Sequence, residues 1–554
     1  MQGCKCIGNV VLNYTYYKGN DLYTDGLIED EILEIVKSGK QREILYSSSK
    51  WPILYHLSDI RENLLDWYQF NEDGRILEIG SGCGAITGLL SRKAKEVTCI
   101  ELSEKRSLIN AYRNQQCSNV NIMIGNFQDI EIDGKYDYIT LIGVWEYAGA
   151  YVNSKTPYLE MLKKIKKYLK EDGKIIIAIE NKMGLKYWNG APEDHTGGFY
   201  SGLNDYIDDR NVRTFSKSEI EKILNKIGIT KYNFYYPMPD YKLPEVIYSD
   251  SILPEPGSER NYGKDYSMCR IYNFYDATVS DQVCSDGMFT YFANSFLVIT
   301  GEAEARSCYE RYNRLRKEEY RLKTEIIERE DRRYTKKTAL NERAVNHIFQ
   351  LKENEVKWKN YLTNLNHIEG ILIDNEYQTP YIEGTDLDVI FYAYRDNIDL
   401  FVEKFHYYVE SFLKPSNDKL VPFLVSPEYV SIFGPDYPFG KMSLECTNVD
   451  LIFSNLRLTP EGKLYCFDYE WIFEFLIPYE YIVWRSASQL YIKYMAYLKN
   501  RVSRNDFFLK IGFLQKDISI YEKMENNFHD YVYGDEDYLK NYRKNSIQHQ
   551  IKFL

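Results

Sequence analysis

One run of residues constrains this chain more than any other: Ile76-Leu77-Glu78-Ile79-Gly80-Ser81-Gly82-Cys83-Gly84. A short apolar strand runs into three closely spaced glycines, so the backbone must turn sharply where the strand ends. Gly80 and Gly82 permit that turn and a close approach to a ligand, and Gly84 lets the following helix pack tightly on the strand. Ala85/Ile86 and Leu89/Leu90 then recur at helical spacing. A second apolar strand, Glu96 to Ile100, ends at Glu101. That acid stands about 20 residues past the turn, where a carboxylate reaches the ribose hydroxyls of a nucleoside in a βαβ unit.

The alternation continues from residue 75 onward, as expected of a doubly wound α/β sheet. Val120 to Ile124 and Lys174 to Ile179 read as strands, and Leu159, Leu162, Ile165 and Leu169 mark the helix before the second of them. Ser216 with Glu219 has the spacing of a capping box, and Gly228 after Ile227 that of a helix stop.

The triplet is G-x-G-x-G and not the dinucleotide pattern G-x-G-x-x-G, and Glu78 stands two residues ahead of it. That combination resembles motif I of class I S-adenosylmethionine-dependent methyltransferases. The resemblance implies a Rossmann-like methyltransferase sheet with Glu78, Gly80, Ser81, Gly82 and Gly84 around the cofactor. It puts Glu101 on the ribose and Asn126 and Phe127 at the adenine. Tyr136 to Tyr147 looks like motif IV, the strand end that faces both cofactor and substrate.

Methyl transfer asks for in-line positioning and, where the acceptor atom carries a proton, for a base. Glu146 ends the motif IV strand and is either that base or a contact to cofactor or backbone. Gly190-Ala191-Pro192-Glu193-Asp194-His195-Thr196-Gly197-Gly198 follows the carboxyl end of a strand, where open α/β sheets bind ligands. His195 is the best single base candidate, with Glu193 and Asp194 expected to hold its tautomer and raise its pKa; the alternative is that it anchors a surface loop. This loop resembles one found in methyltransferases encoded among bacterial surface-polysaccharide genes, which implies a saccharide acceptor. Trp51 to Ser58 and Ile60 to Leu65 read as an amphipathic helix ahead of the turn; His56 and Arg61 within it are either packing residues or contacts to cofactor or acceptor.

Composition narrows the function classes. The formal net charge of −12 disfavours general nucleic-acid binding, which relies on clustered Lys and Arg. No run of about 18 apolar residues is present and the N-terminus lacks a signal-peptide core, so the protein is expected to be cytoplasmic with no transmembrane segment. Ten scattered cysteines suit reduced thiols; Cys4 and Cys6 have no second pair beside them to complete a metal site, and Cys83 reads as a packing residue.

At 554 residues the chain exceeds one ordinary domain, and its second half carries another constellation. Asp450 and Asn455 have the D-x-x-x-x-N spacing of a kinase catalytic loop, and Asp468 follows a short hairpin, Leu458 to Leu464. Pro380 to Leu387 resembles the inter-lobe hinge of aminoglycoside- and choline-kinase-like proteins. The resemblance, over about residues 285 to 480, implies an α+β two-lobed domain with Asp450 as proton acceptor, Asn455 and Asp468 as Mg2+ ligands, and bound ATP. There are departures: Asn448 replaces the usual His, no Gly-rich loop is present, and Arg311 stands where a lysine is expected. The partner Glu is Glu325 or Glu342. The charged stretch Arg311 to Arg343 reads as a solvated helix.

The expected organisation is an N-terminal cap segment (1–60), a methyltransferase domain (61–245), a linker (246–284) around Pro254 to Ser258, a kinase-like domain (285–480) and C-terminal helices (481–554). The pairing is similar to bifunctional kinase-methyltransferases that terminate bacterial O-antigen chains. It implies O-methylation of a saccharide or saccharide phosphate. A small-metabolite methyltransferase with an inert second domain and a scaffold docking glycosyltransferases remain as alternatives.

Overall fold

In the computed structural model of the protein, residues 3–21, 23–207, 211–258, 270–302, 306–359, 361–362, 364–535, 537–548 and 551–552 are described. Their framework is one continuous mixed sheet. In chain order its strands are β1 (Cys4–Ile7), β2 (Val10–Asn13), β3 (Arg75–Ile79), β4 (Glu96–Glu101), β5 (Val120–Ile124), β6 (Tyr136–Ile142), β7 (Leu169–Glu180), β8 (Tyr232–Met238) and β9 (Val246–Ser249). The short β10 (Ile271–Tyr272) lies outside it. β11 (Ser295–Thr300), β12 (Arg306–Tyr312), β13 (Leu322–Arg329) and β14 (Arg332–Ala339) follow; β15 (Asn366–His367) is again outside, and β16 (Ile371–Ile373) and β17 (Glu376–Pro380) finish the sheet.

The order β5-β4-β3-β6-β7-β11-β8 makes the first half a doubly wound unit. β3 to β7 pair in parallel, and β11 inserts antiparallel between β7 and β8. From β3 the chain winds outward to β4 and β5, then returns to β6 on the other side. The carboxyl ends of β3 and β6 therefore diverge, which opens a crevice at their tips. Ile76 and Val97 pack on one face of the sheet, and Leu77, Ile139 and Ile177 on the other. Trp145, at the tip of β6, stacks on Phe215 with centroids 4.7 Å apart. The capping box forms: Ser216 N donates to Glu219 Oε2 at 2.9 Å, while Ser216 Oγ accepts from Glu219 N.

Several expected boundaries move. The 246–284 stretch opens with the buried β9, which pairs with β8 and β12, and goes on to the helix Asp276–Ser285. It thus carries the sheet from one unit into the next instead of linking two separate bodies. β11, from the segment assigned to the second domain, completes the first. Arg311 to Arg343 is not a helix but largely the meander β12-β13-β14, because its opposite charges pair across strands: Glu325 sits in register with Lys336, their side chains 2.9 Å apart. The helices after residue 480 are no appendage either. One core runs from Leu322 to Val532 and includes Trp484, Phe507 and Phe528. In the cap, Trp51–Leu57 and Ile28–Ser38 pack together with Tyr538 and Leu539 from the C-terminal end.

Trp484, on the helix Tyr479–Lys493, is fully buried. Trp484→Ala should cost about 3–5 kcal/mol, measured as a lowered midpoint in denaturant unfolding of the second unit; an unchanged midpoint would show that the helix is dispensable.

Candidate active site

At the crevice lies a cavity of about 510 Å³. One part of its wall comes from the loops after β3, β4 and β5: Gly80, Gly82, Glu101, Asn126 and Phe127. Gly80 has φ +70°, and a Cβ there would come within 2.4 Å of a Val144 methyl, so no side chain fits between the diverging strands. At Gly82 (φ +52°) a Cβ would meet nothing within 4 Å; the backbone there lies open to the cavity. Glu101 closes the turn, its Oε2 accepting from Gly82 N at 2.8 Å and its Oε1 from Ser103 N at 3.0 Å. Burial raises its pKa, against Arg106 and those two backbone donors.

Glu78, Ser81 and Gly84 do not reach this wall. Glu78 points behind the turn, accepting from Thr87 Oγ1 at 2.6 Å and Cys99 Sγ at 3.3 Å, and burial pushes its pKa up to about 7. Gly84 backs onto Asn110, where a Cβ would clash at 2.3 Å. These residues brace the turn from outside the cavity.

The rest of the wall is charged. Glu146 follows β6, Asp194 and His195 follow β7, and Lys242 comes from the loop between β8 and β9. Glu180, the last residue of β7, is fully buried beside them. His195 Nδ1 meets Tyr147 Oη at 3.0 Å. Its Nε2 faces Glu180 Oε2 at 3.5 Å and Glu146 Oε1 at 3.9 Å. Burial works against the imidazolium, but closeness to Glu180 and then Glu146 outweighs it and raises the His195 pKa to about 9. Burial pushes Glu146 up to about 8. Glu180 moves the other way: burial is outweighed by the Lys242 ammonium paired to Oε1 and by His195, holding its carboxyl well below the usual range.

The carboxylates that surround the imidazole are thus not its chain neighbours. Glu193 accepts from the backbone N–H of His195 and Thr196 at 2.9 and 2.7 Å, folding the loop. Asp194 is held by Lys186 and Lys242, each at 2.8 Å, and by Tyr187. Of the cap residues, His56 lines the cavity and meets Asp25 at 3.2 Å, while Arg61 stacks on Tyr55 and donates to the Lys242 carbonyl at 3.1 Å. Asp25, Arg106, Tyr241 and Lys242 were invisible to sequence reasoning, since nothing in their local sequence marks them.

A second charged cluster lies between the meander and the segment after β17. Lys337, on β14, reaches Asp468 at 2.8 Å and Glu470 at 2.6 Å; Glu470 also meets Arg316 at 2.5 Å. Arg316 and Lys337, against the cost of burial, hold the Glu470 carboxyl well below its usual range, whereas burial raises Asp468. Asp450, Asn455 and Asp468 come together through Asn448, which accepts from Asp450 N and donates to the Asp468 carbonyl. Asn455 spends its amide on the Asp450 carbonyl, and the Asp450 carboxylate is paired with Arg485 at 2.7 Å. Arg311 is not the cation of this cluster. It lies exposed on β12, in register with Val246 and Thr324, because β12 borders the first unit while β14 faces Asp468. Neither Glu325 nor Glu342 pairs with Lys337; Asp468 and Glu470 do.

Residues 53–232 match a family model described as a methyltransferase domain. An uncharacterized methyltransferase of Staphylococcus carnosus is 33% identical over 106 residues, 19% of this chain and 46% of that protein. The ribosomal RNA small subunit methyltransferase A of Malacoplasma penetrans is 24% identical over 118 residues, 21% of this chain and 42% of that protein. The chain spans less than half the length of either curated relative. Phosphoethanolamine N-methyltransferase 1 of Haemonchus contortus, solved with phosphoethanolamine and S-adenosylhomocysteine, is 14% identical over 50% of each chain, at a TM-score of 0.29. The methyltransferase-domain match falls on the first unit, and the strand order there agrees with the class I S-adenosylmethionine-dependent fold expected from the glycine turn.

The cavity fits that cofactor, with an open glycine backbone and a buried carboxylate on the same wall. Gly82→Arg should abolish S-adenosylhomocysteine binding in calorimetry while lowering the thermal unfolding midpoint by only a few degrees, because the added side chain projects into the cavity and the backbone strain is about 1–2 kcal/mol. Retained binding would place the cofactor elsewhere.

Proposed function

We propose that this protein is a cytoplasmic S-adenosylmethionine-dependent O-methyltransferase acting on a saccharide or saccharide phosphate in the assembly of a bacterial surface polysaccharide. One observation carries the reading of the reaction: the Glu146 carboxylate and His195 Nε2 are buried with no hydrogen-bond partner among the described residues, on the wall that also holds Gly80, Gly82 and Glu101. The cofactor supplies an electrophilic methyl group. The protein's residues hold it against the glycine turn, place the acceptor toward β6 and β7, and take up the hydroxyl proton on the carboxylate–imidazole cluster. The net charge of −12 supports a small acceptor over a nucleic acid.

With methyl-labelled S-adenosylmethionine and lipid-linked glycan extracts, label is expected on a saccharide hydroxyl. His195→Ala and Glu146→Gln should lower the rate by about 10²–10⁴-fold while S-adenosylhomocysteine still binds. Label on nitrogen or on RNA, or unchanged rates, would sink the proposal.

For the second unit we propose a kinase-like phosphotransferase using ATP and Mg2+, supported by the buried Lys337 facing Asp468 from a neighbouring strand. ATP turnover should vanish in both Lys337→Met and Asp468→Asn; turnover that persists in either rules the reading out. A small-metabolite methyltransferase with an inert second unit is favoured by a different observation, since Asp450 and Asp468 are already engaged by Arg485 and Lys337.

A further inference from the structure

Glu146, Glu180 and His195 offer one ligand atom each, all within 4.8 Å of one another. Both carboxylate oxygens of Glu146, Oε2 of Glu180 and Nε2 of His195 are buried and find no hydrogen-bond partner among the described residues. The two carboxylates are completely shielded from solvent. Orphaned polar atoms of this kind are costly, and three of them aimed at one point call for an occupant.

The gaps suit a cation better than direct hydrogen bonds. At 3.5 and 3.9 Å the imidazole nitrogen stands too far from the carboxylate oxygens for a good bond to either. Ligand atoms about 2.1 Å from an octahedral ion lie about 3 Å apart when adjacent and about 4.2 Å when opposite, so small side-chain rotations close the site. Charge points the same way. Lys186 and Lys242 are taken up by Asp194, Asp240 and Oε1 of Glu180, and among the described residues no lysine or arginine pairs with Glu146. Glu193 is spent on backbone N–H groups and Tyr206. The contact of Nδ1 with Tyr147 Oη orients the ring, and an Nδ1–H donated to that hydroxyl leaves the Nε2 lone pair facing the gap.

We infer that Glu146, Glu180 and His195 form a binding site for a divalent cation, Mg2+ or Mn2+, whose open positions face the cavity and hold the hydroxyl of a chelating, hydroxyl-rich acceptor. The inference rests on the methyltransferase reading of the same cavity and deepens it. Two oxygens and one nitrogen with positions left open are a donor set that such hard cations accept. The bound hydroxyl becomes more acidic and passes its proton to the second carboxylate oxygen of Glu146. Its oxygen then forms the new O–CH3 bond as the S–CH3 bond breaks, and that electron pair stays on sulfur.

The test uses Mn2+ alone, followed by electron paramagnetic resonance on the full chain, with S-adenosylhomocysteine binding measured separately by calorimetry without metal. Every form compared carries Asp468→Asn, which removes the metal ligand proposed for the second unit, so that only this site is read. Protein otherwise unchanged should bind a single Mn2+ in this site; Glu146→Gln and His195→Ala should each weaken it by about tenfold or more. Both variants should still bind S-adenosylhomocysteine, which shows that they are folded. Protein that binds S-adenosylhomocysteine but not Mn2+ in that background overturns the cation site alone, and so does Mn2+ binding that survives both Glu146→Gln and His195→Ala. Protein that binds neither overturns the methyltransferase reading as well.

Discussion

The contact between Gly80 and Val144 is the constraint on which the rest of the first unit depends. β3 and β6 are hydrogen-bonded neighbours whose connections leave in opposite directions, and their tips can part only if the β3 chain turns at once. A side chain at Gly80 would strike Val144 and block that turn. Once it is made, Gly82 N lands on the Glu101 carboxylate, and the loops after β4 and β5 fold against the same opening. Carboxyl ends from the other half of the sheet then supply the charged wall. The cavity is thus a consequence of strand order, realised at one glycine.

A second consequence of the sheet is that the two units share a backbone. β9 pairs with β8 on one side and β12 on the other, so hydrogen bonding passes from the first unit into the meander without a break. The connection after β12 adds a strap of arginines. Arg314 bonds to Asn63 of the segment preceding the glycine turn, Arg321 approaches Asp59 at 3.8 Å, and Arg316 meets Glu470 of the second cluster. The C-terminal end closes the same corner, where Tyr538 Oη meets Ser58 Oγ at 2.5 Å and Asp59 Oδ1 at 2.8 Å. Rigid-body separation of the units would have to break the β9–β12 pairing and expose these buried polar groups, a cost that independent domains on a flexible linker do not carry.

Both charged clusters obey one physical rule and resolve it differently. A buried charge is tolerated when it is paired and hydrogen-bonded. In the second cluster Glu470 has both Arg316 and Lys337, Asp468 has Lys337, and Asp450 has Arg485. In the first, Lys242 and Lys186 answer Glu180 and Asp194, but Glu146 and one face of His195 are left open toward the cavity. That imbalance is what distinguishes the first cluster from the second.

Local patterns were readable from the chain itself. The strand–glycine–helix turn, the acid ending β4, the limits of β5, the capping box at Ser216 and the hairpin ahead of Asp468 all depend on residues within a few positions of one another, so spacing alone determined them. Seven of the proposed site residues, from Gly80 to His195, line the cavity; the family resemblance carried by the local motifs pointed to several of them, Asn126 and Phe127 among them. Sequence reasoning failed where the deciding partner is remote. Lys337 lies 131 residues from Asp468, and Lys242 lies 62 from Glu180. A charged strand that pairs across a meander also looks like a solvated helix until its neighbours are present. Which carboxylates surround His195, which lysine faces Asp468 and whether residues 246–284 separate or join the two units were decided only by tertiary structure, because strand pairing and burial bring together groups that no local spacing connects.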